Sequence, residues 1–102
     1  MRRRYLVLRI MSEQTFNDWS LMNVIWDAVY QFFGEYGASH VKLTLIEYDA
    51  KKKWAILRCS HKALEMVRAS IASITEINGT EVAIHVVGVS GTLKSLRKKF
   101  LG

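Results

Sequence analysis

Val41-Lys42-Leu43-Thr44-Leu45-Ile46-Glu47-Tyr48, followed by the polar run Asp49 to Lys53 and then Trp54-Ala55-Ile56-Leu57-Arg58-Cys59, decides the fold. Val41, Leu43 and Leu45 alternate onto one face, so the segment predicts two strands joined by a hairpin. A helical pattern flanks it on each side. Upstream, Leu21, Val24, Ile25, Ala28, Val29 and Phe32 follow the helical repeat. A cap within Thr15–Asp18 opens that helix, which runs to about Phe33, where Gly34 and Gly37 mark its end. Downstream, Ser60 is a good N-cap for a second helix that buries Leu64, Val67, Ile71 and Ile74. Further out, Arg4 to Ile10 reads as a strand. After an Asn78-Gly79 turn, Glu81 to Val87 reads as another, with Val82, Ile84 and Val86 on one face. The order β-α-β-β-α-β, with a helix added at the C-terminal end, predicts an α+β, ferredoxin-like sandwich (RRM-like in topology). One antiparallel sheet then carries both main helices on one face.

The chain has 102 residues, one cysteine and no proline, with a formal charge of +6 and a pI near 9.7. That length suits a single domain, 1–102, with one core. Cys59 has no partner for an internal disulfide, which fits a reducing, cytoplasmic setting. No apolar run approaches a membrane span, and Met1-Arg2-Arg3-Arg4 leads straight into a strand, so no membrane association is expected. The charge is segregated. Arg2, Arg3, Arg4 and Arg9 crowd the start, Lys51-Lys52-Lys53 forms a knot, and Lys94 to Lys99 forms another. Residues 10–41 carry Glu13, Asp18, Asp27 and Glu35 with no Lys or Arg. Basic ends and an acidic, apolar flank suggest two partners, a nucleic acid and a protein.

The last fifteen residues carry the strongest polyanion signal. Gly88-Val89-Ser90-Gly91-Thr92 reads as a turn, and the helix after it is apolar at Leu93, Leu96 and Phe100. Lys94, Arg97, Lys98 and Lys99 face away from that dock, with no acid after Glu81 to neutralise them. A docked helix with an uncompensated basic face is a polyanion-binding surface. Free amides near Gly91, Thr92 and Leu93 would add an anion site; alternatively Ser90 or Thr92 simply caps the helix. His61 and Lys62, with Arg58 nearby, read either as exposed donors or as a solvated polar turn.

Other chemistries find little support. Cys59 with His61, His40 and His85 lacks metal-ligand spacing, so neither a metal site nor a thiol nucleophile is expected. The acids stand singly, and no phosphate-loop, nucleophile-elbow or zinc-protease motif occurs, so no catalytic residue is assigned. Strand three lacks the Gly/aromatic alternation with which RRM sheets stack bases, and strand one offers only Tyr5. The first helix carries Trp19, Met22, Trp26, Tyr30 and Phe33 besides its core stripe. Such a wide apolar arc is covered either by a protein partner or by the loops around Ser12–Asn17.

Arg4-Tyr5-Leu6, Leu57-Arg58-Cys59-Ser60-His61-Lys62, Gly88-Val89-Ser90-Gly91-Thr92-Leu93 and Leu96-Arg97-Lys98-Lys99-Phe100-Leu101 together resemble the Pop-five protein subunit family of ribonuclease P. The resemblance spans nearly the whole chain, and the compact length looks like the archaeal form. It implies a ferredoxin-like core in a ribonucleoprotein endoribonuclease that matures tRNA. The ribonuclease P RNA, with bound magnesium, removes the 5′ leader of precursor tRNA, and the protein shapes that RNA without catalysing. No cofactor is then bound by this chain. The implied partners are the ribonuclease P RNA, precursor tRNA through the particle, and a TIM-barrel-like protein subunit in a two-plus-two assembly containing a homodimer. The RNA contacts expected are Arg2, Arg3, Arg4, Arg58, His61, Lys62, Ser90, Gly91, Lys94, Arg97, Lys98 and Lys99, neutralising phosphates rather than reading bases. The alternative is a dimerising ferredoxin-like small-ligand or regulatory module, whose mark would be an apolar pocket. A small hydrolase is a distant third.

Overall fold

The computed structural model describes residues 2–100. Met1, Leu101 and Gly102, at the ends of the expected domain, lie outside the described residues. Four strands, β1 (Arg3–Met11), β2 (Thr44–Asp49), β3 (Trp54–Ser60) and β6 (Ala83–Ser90), form one sheet in the order β2-β3-β1-β6. Every neighbouring pair is antiparallel. Two helices, α1 (Asp18–Ser39) and α2 (Leu64–Ala72), cover one face. The expected ferredoxin-like arrangement is therefore present.

Strand alternation builds the core. Leu6, Leu8 and Ile10 of β1 point at the helices, as do Ala55, Leu57 and Cys59 of β3 and Ile84 of β6. They meet Leu21, Ile25 and Val29 from α1 and Val67 and Ile71 from α2. α1 is opened by Asn17, whose side chain accepts from the Ser20 amide at 2.7 Å.

Several boundaries differ from the sequence expectation. α1 does not end at Phe33. Gly34 takes φ 69° and ψ 178°, a region open almost only to glycine, and the chain kinks there before resuming helix to Ser39. The added turn returns Ala38 to the core, while Phe32, expected in the core stripe, is 57% exposed. The ladder of β2 starts at Thr44 rather than Val41, because Lys42 adopts φ 53° and breaks the extended run. Val41 and Leu43 are nonetheless buried. Ser60 does not cap the second helix; its hydroxyl donates to the His40 carbonyl at 3.0 Å, and a 3-10 turn, His61–Ala63, precedes α2. Asn78 and Gly79, both at positive φ, make the expected turn, but it joins a small hairpin of β4 (Glu76–Ile77) and β5 (Thr80–Glu81) that sequence reading missed. β6 runs on through Gly88, Val89 and Ser90, so only Gly91 and Thr92 remain as the turn.

α3 (Leu93–Phe100) crosses the second face of the sheet. Leu96 is fully buried against Val7 and Ile56, with Tyr5, Ile46, Trp54 and Leu93 around it. Phe100 lies over Gly88 so closely that a β-carbon there would sit 2.4 Å from the ring. The expected dock through Leu93, Leu96 and Phe100 is therefore made, and it supplies a physical reason why the centre of this sheet face offers no base-stacking platform.

Candidate nucleic-acid interface

Antiparallel register gathers the basic residues that the sequence scatters. Arg3 stands opposite Ser60, Arg4 opposite Cys59, and Tyr5 opposite both Arg58 on β3 and Ser90 on β6. The His61 amide donates to the Arg2 carbonyl at 2.9 Å, which fixes His61 and Lys62 beside the start of β1. Arg4 reaches the turn after β6, with its Nη1 3.4 Å from where a side chain on Gly91 would begin. Arg2, Arg3, Arg4, Arg58, His61, Lys62, Ser90 and Gly91 thus meet at one end of the sheet, although β1, β3 and β6 come from distant parts of the chain.

Lys42 belongs to the same end and was missed, because the sequence placed it inside a strand. With Arg3 and Arg58 it surrounds an open recess completed by Leu43 and Thr44, and no carboxylate lines it. Its left-handed backbone has no signature in the residue itself. Cations converging without acids raise the local positive potential, which attracts phosphate.

α3 supplies a second basic patch, smaller than expected. Lys94, Lys98 and Lys99 are exposed, but Arg97 pairs with Glu47 of β2 and is not uncompensated. No acid lies near Arg97 in the chain, and Glu47, fifty positions away, arrives through the fold. The helix start is also partly occupied. The Thr92 amide donates to the Ser90 hydroxyl at 3.3 Å and the Ser95 amide to the Thr92 hydroxyl at 3.2 Å, so the capping alternative holds for these two amides.

The aromatic flank divides in two. Trp19, Tyr30 and Phe33 are exposed, whereas Met22 and Trp26 are half-buried and pack against the main core. Trp26 and Tyr30 rings lie 5.9 Å apart, linking the two sets. Of the expected contact residues, Trp19, Tyr30 and Phe33 remain as exposed aromatics, and Phe32 and Tyr36 are exposed as well, Tyr36 at 81% and beyond the end expected for the helix.

Cys59 is fully buried, and burial pushes its thiol up to about 11, with the Arg4 charge pulling weakly the other way. Among the described residues no group of three or more His, Cys, Asp and Glu is placed to hold a metal ion. No helix of the described residues is long and apolar enough to cross a membrane. The groove between α2 and β6 is lined by Glu65, Arg68 and His85 as well as apolar residues, unlike the apolar pocket that a small-ligand module requires.

A ferredoxin-like sheet with helices on one face, a third helix strapped across the other and a cationic end defines a small α+β module of the RRM-like topology. Residues 4–101 match the model of the Rpp14/Pop5 family, and the chain belongs to that family. Ribonuclease P protein component 2 of Pyrococcus abyssi is 38% identical over 98 residues, covering 96% of this chain and 83% of that protein. Its counterpart in Methanosarcina mazei is 31% identical over 100 residues, covering 98% and 84%. In fold, the chain matches one from the cryo-EM structure of yeast ribonuclease MRP with a TM-score of 0.75 at 17% identity, over 90% of this chain and 76% of that one. The family resemblance drawn from the sequence is borne out, in its archaeal form.

Proposed function

We propose that this chain is a non-catalytic, RNA-binding subunit of ribonuclease P, supporting the catalytic RNA as it removes the 5′ leader of precursor tRNA. The observation that carries the reading is the convergence of Arg3, Arg58 and Lys42 on one recess without a carboxylate, with Arg2, Arg4, His61 and Lys62 alongside. These side chains are suited to hold phosphates and set the orientation of a folded RNA. Lys94, Lys98 and Lys99 extend the cationic surface along α3. Magnesium belongs to the RNA in this reading. The aromatic flank of α1 is the surface for protein, the TIM-barrel-like subunit or a second copy of this chain within a two-plus-two assembly, and the particle works in the cytoplasm.

The test is reconstitution with ribonuclease P RNA from the same source. The wild-type chain is expected to bind that RNA with an affinity that falls steeply with salt. Replacing Arg3, Lys42 and Arg58 together by Gln should weaken binding at least roughly tenfold. The slope of log K against log salt should flatten by about 0.9 for each phosphate no longer neutralised. The protein without RNA should leave precursor tRNA intact. Unchanged affinity and slope in the triple variant, or cleavage by the protein alone, would overturn the proposal.

A further inference from the structure

α3 covers only the middle of the second sheet face. Leu96 sits on Val7 and Ile56, Arg97 reaches Glu47, and Phe100 lies over Gly88. Farther along the strands, register sets Asp49, Trp54, Arg9 and His85 side by side across all four strands. Their chain neighbours Leu8, Ile10, Ala55, Ile84 and Val86 point into the main core, so Trp54 and Arg9 share the face of α3, while His85 on the edge strand also borders the groove beside α2. Arg9 and His85 are exposed, Trp54 is partly exposed, and Met11 and Val87 beside them are 54% and 43% exposed. Lys52, at the tip of the β2–β3 hairpin, borders a recess with Arg9 and Met11.

We propose that this open end of the sheet is a single-stranded RNA subsite, in which a base stacks on Trp54 while Arg9 and Lys52 hold the flanking phosphates. It rests on the RNA-binding function proposed above but uses none of the residues of the basic end. A sheet row offers a flat surface, and an indole face accepts any base. Exposed Met11 and Val87 give apolar contact that a phosphate-only surface does not need. Two acids lie nearby, and the charged Asp49 carboxylate stands at the β2 edge of the row, so phosphates are expected on the β1 side. Asp49 accepts from the backbone amide of Lys52 at 2.9 Å, and Glu47 is held by Arg97. Lys53 donates to the Ser12 carbonyl, whereas Arg9 and Lys52 are exposed at the recess. An aromatic surface flanked by cations is complementary to an unpaired polynucleotide, and a single indole serves here in place of the Gly/aromatic alternation that strand three lacks.

The experiment titrates the full chain against a labelled uridine octamer, which has no duplex to offer, at several salt concentrations. Trp54→Leu keeps an apolar side chain against Leu96 but removes the ring, and should weaken binding roughly tenfold, within the range of a lost base–aromatic stack. Trp54→Phe should restore most of the affinity. Arg9→Gln should weaken binding and lower the salt slope by about 0.7, the single-strand value for one phosphate. Irradiation of the wild-type complex should cross-link uridine to the peptide containing Trp54. Wild-type affinity in both Trp54→Leu and Arg9→Gln overturns the subsite, as does loss of protein-subunit binding with the octamer still bound normally, which would make this face a protein contact. If Trp54→Leu fails to fold, the exposed Arg9→Gln decides the matter. The Arg3, Lys42, Arg58 triple variant separates the two proposals. If it loses ribonuclease P RNA while Trp54→Leu and Arg9→Gln bind the octamer like the wild type, the subsite alone falls, whereas wild-type binding by all of these variants sinks RNA binding altogether.

Discussion

Cys59 ends the core side of β3, opposite Arg4. Its thiol is raised from 9.0 to about 11 by burial, so at neutral pH it is protonated and a poor nucleophile. The same shift ties stability to alkaline pH. A raised folded-state pKa means that the unfolded chain ionises first. The contribution is complete below pH 9, declines as pH rises, and is gone above about 11. Two units correspond to roughly 2–3 kcal/mol. Urea unfolding at pH 8 and pH 10.5 should therefore show a larger alkaline loss in the wild type than in Cys59→Ala, which lacks the titrating group. Cys59→Ala should also leave ribonuclease P activity in a reconstituted particle unchanged. Equal alkaline losses in the two proteins would mean that the thiol is not held in a dry site.

At the scale of elements, α3 depends on a close approach between Phe100 and Gly88. A β-carbon at Gly88 would overlap the ring, which must then swing away. Gly88→Ala should cost about 1–3 kcal/mol, the usual range for overpacking. In a double-mutant cycle Phe100→Ala should absorb most of that cost, because the overlap then disappears. Additive losses would place the strain elsewhere. The elements themselves were legible where period and burial agree, as in the alternation of β1 and β3 and the stripe Leu21, Ile25, Val29. Leu93 and Leu96 likewise announced a docked helix. What escaped reading were events set by single backbone angles or by distant partners. Gly34 looked like a terminus because glycine ends helices as readily as it kinks them. Lys42 at positive φ has no compositional sign. The pairing of Arg97 with Glu47 spans fifty positions, and the expectation of a free basic helix failed there. The gathering of Arg3, Arg4 and Arg58 at one end follows from antiparallel register, since short strands of known order fix which ends lie together.

For the whole molecule, the basic end of the sheet and the aromatic flank of α1 are kept apart. The start of β1, the end of β3 and the turn after β6 gather cations, while residues 10–41 hold no Lys or Arg and carry the exposed Trp19, Tyr30, Phe32, Phe33 and Tyr36. In the function proposed above this acidic flank is the surface for protein rather than RNA, and aromatic side chains dominate such contacts. Trp26 is a poor probe of this flank. It packs against the core, so Trp26→Ala should chiefly lower the melting temperature. Tyr36 is the better probe. Its ring is 81% exposed and its nearest aromatic neighbour is His40, 4.6 Å away between centroids, so truncation should cost the fold little. Tyr36→Ala, alone or with Trp19→Ala, should weaken assembly with the partner protein subunit by at least roughly tenfold, the effect of about 1.4 kcal/mol. Binding to isolated RNA should stay unchanged, because neither residue belongs to the cationic surface. Calorimetry with the purified subunits reads the first quantity and anisotropy with the RNA reads the second. Normal assembly by a Tyr36→Ala, Trp19→Ala variant that melts like the wild type would take the partner off this flank.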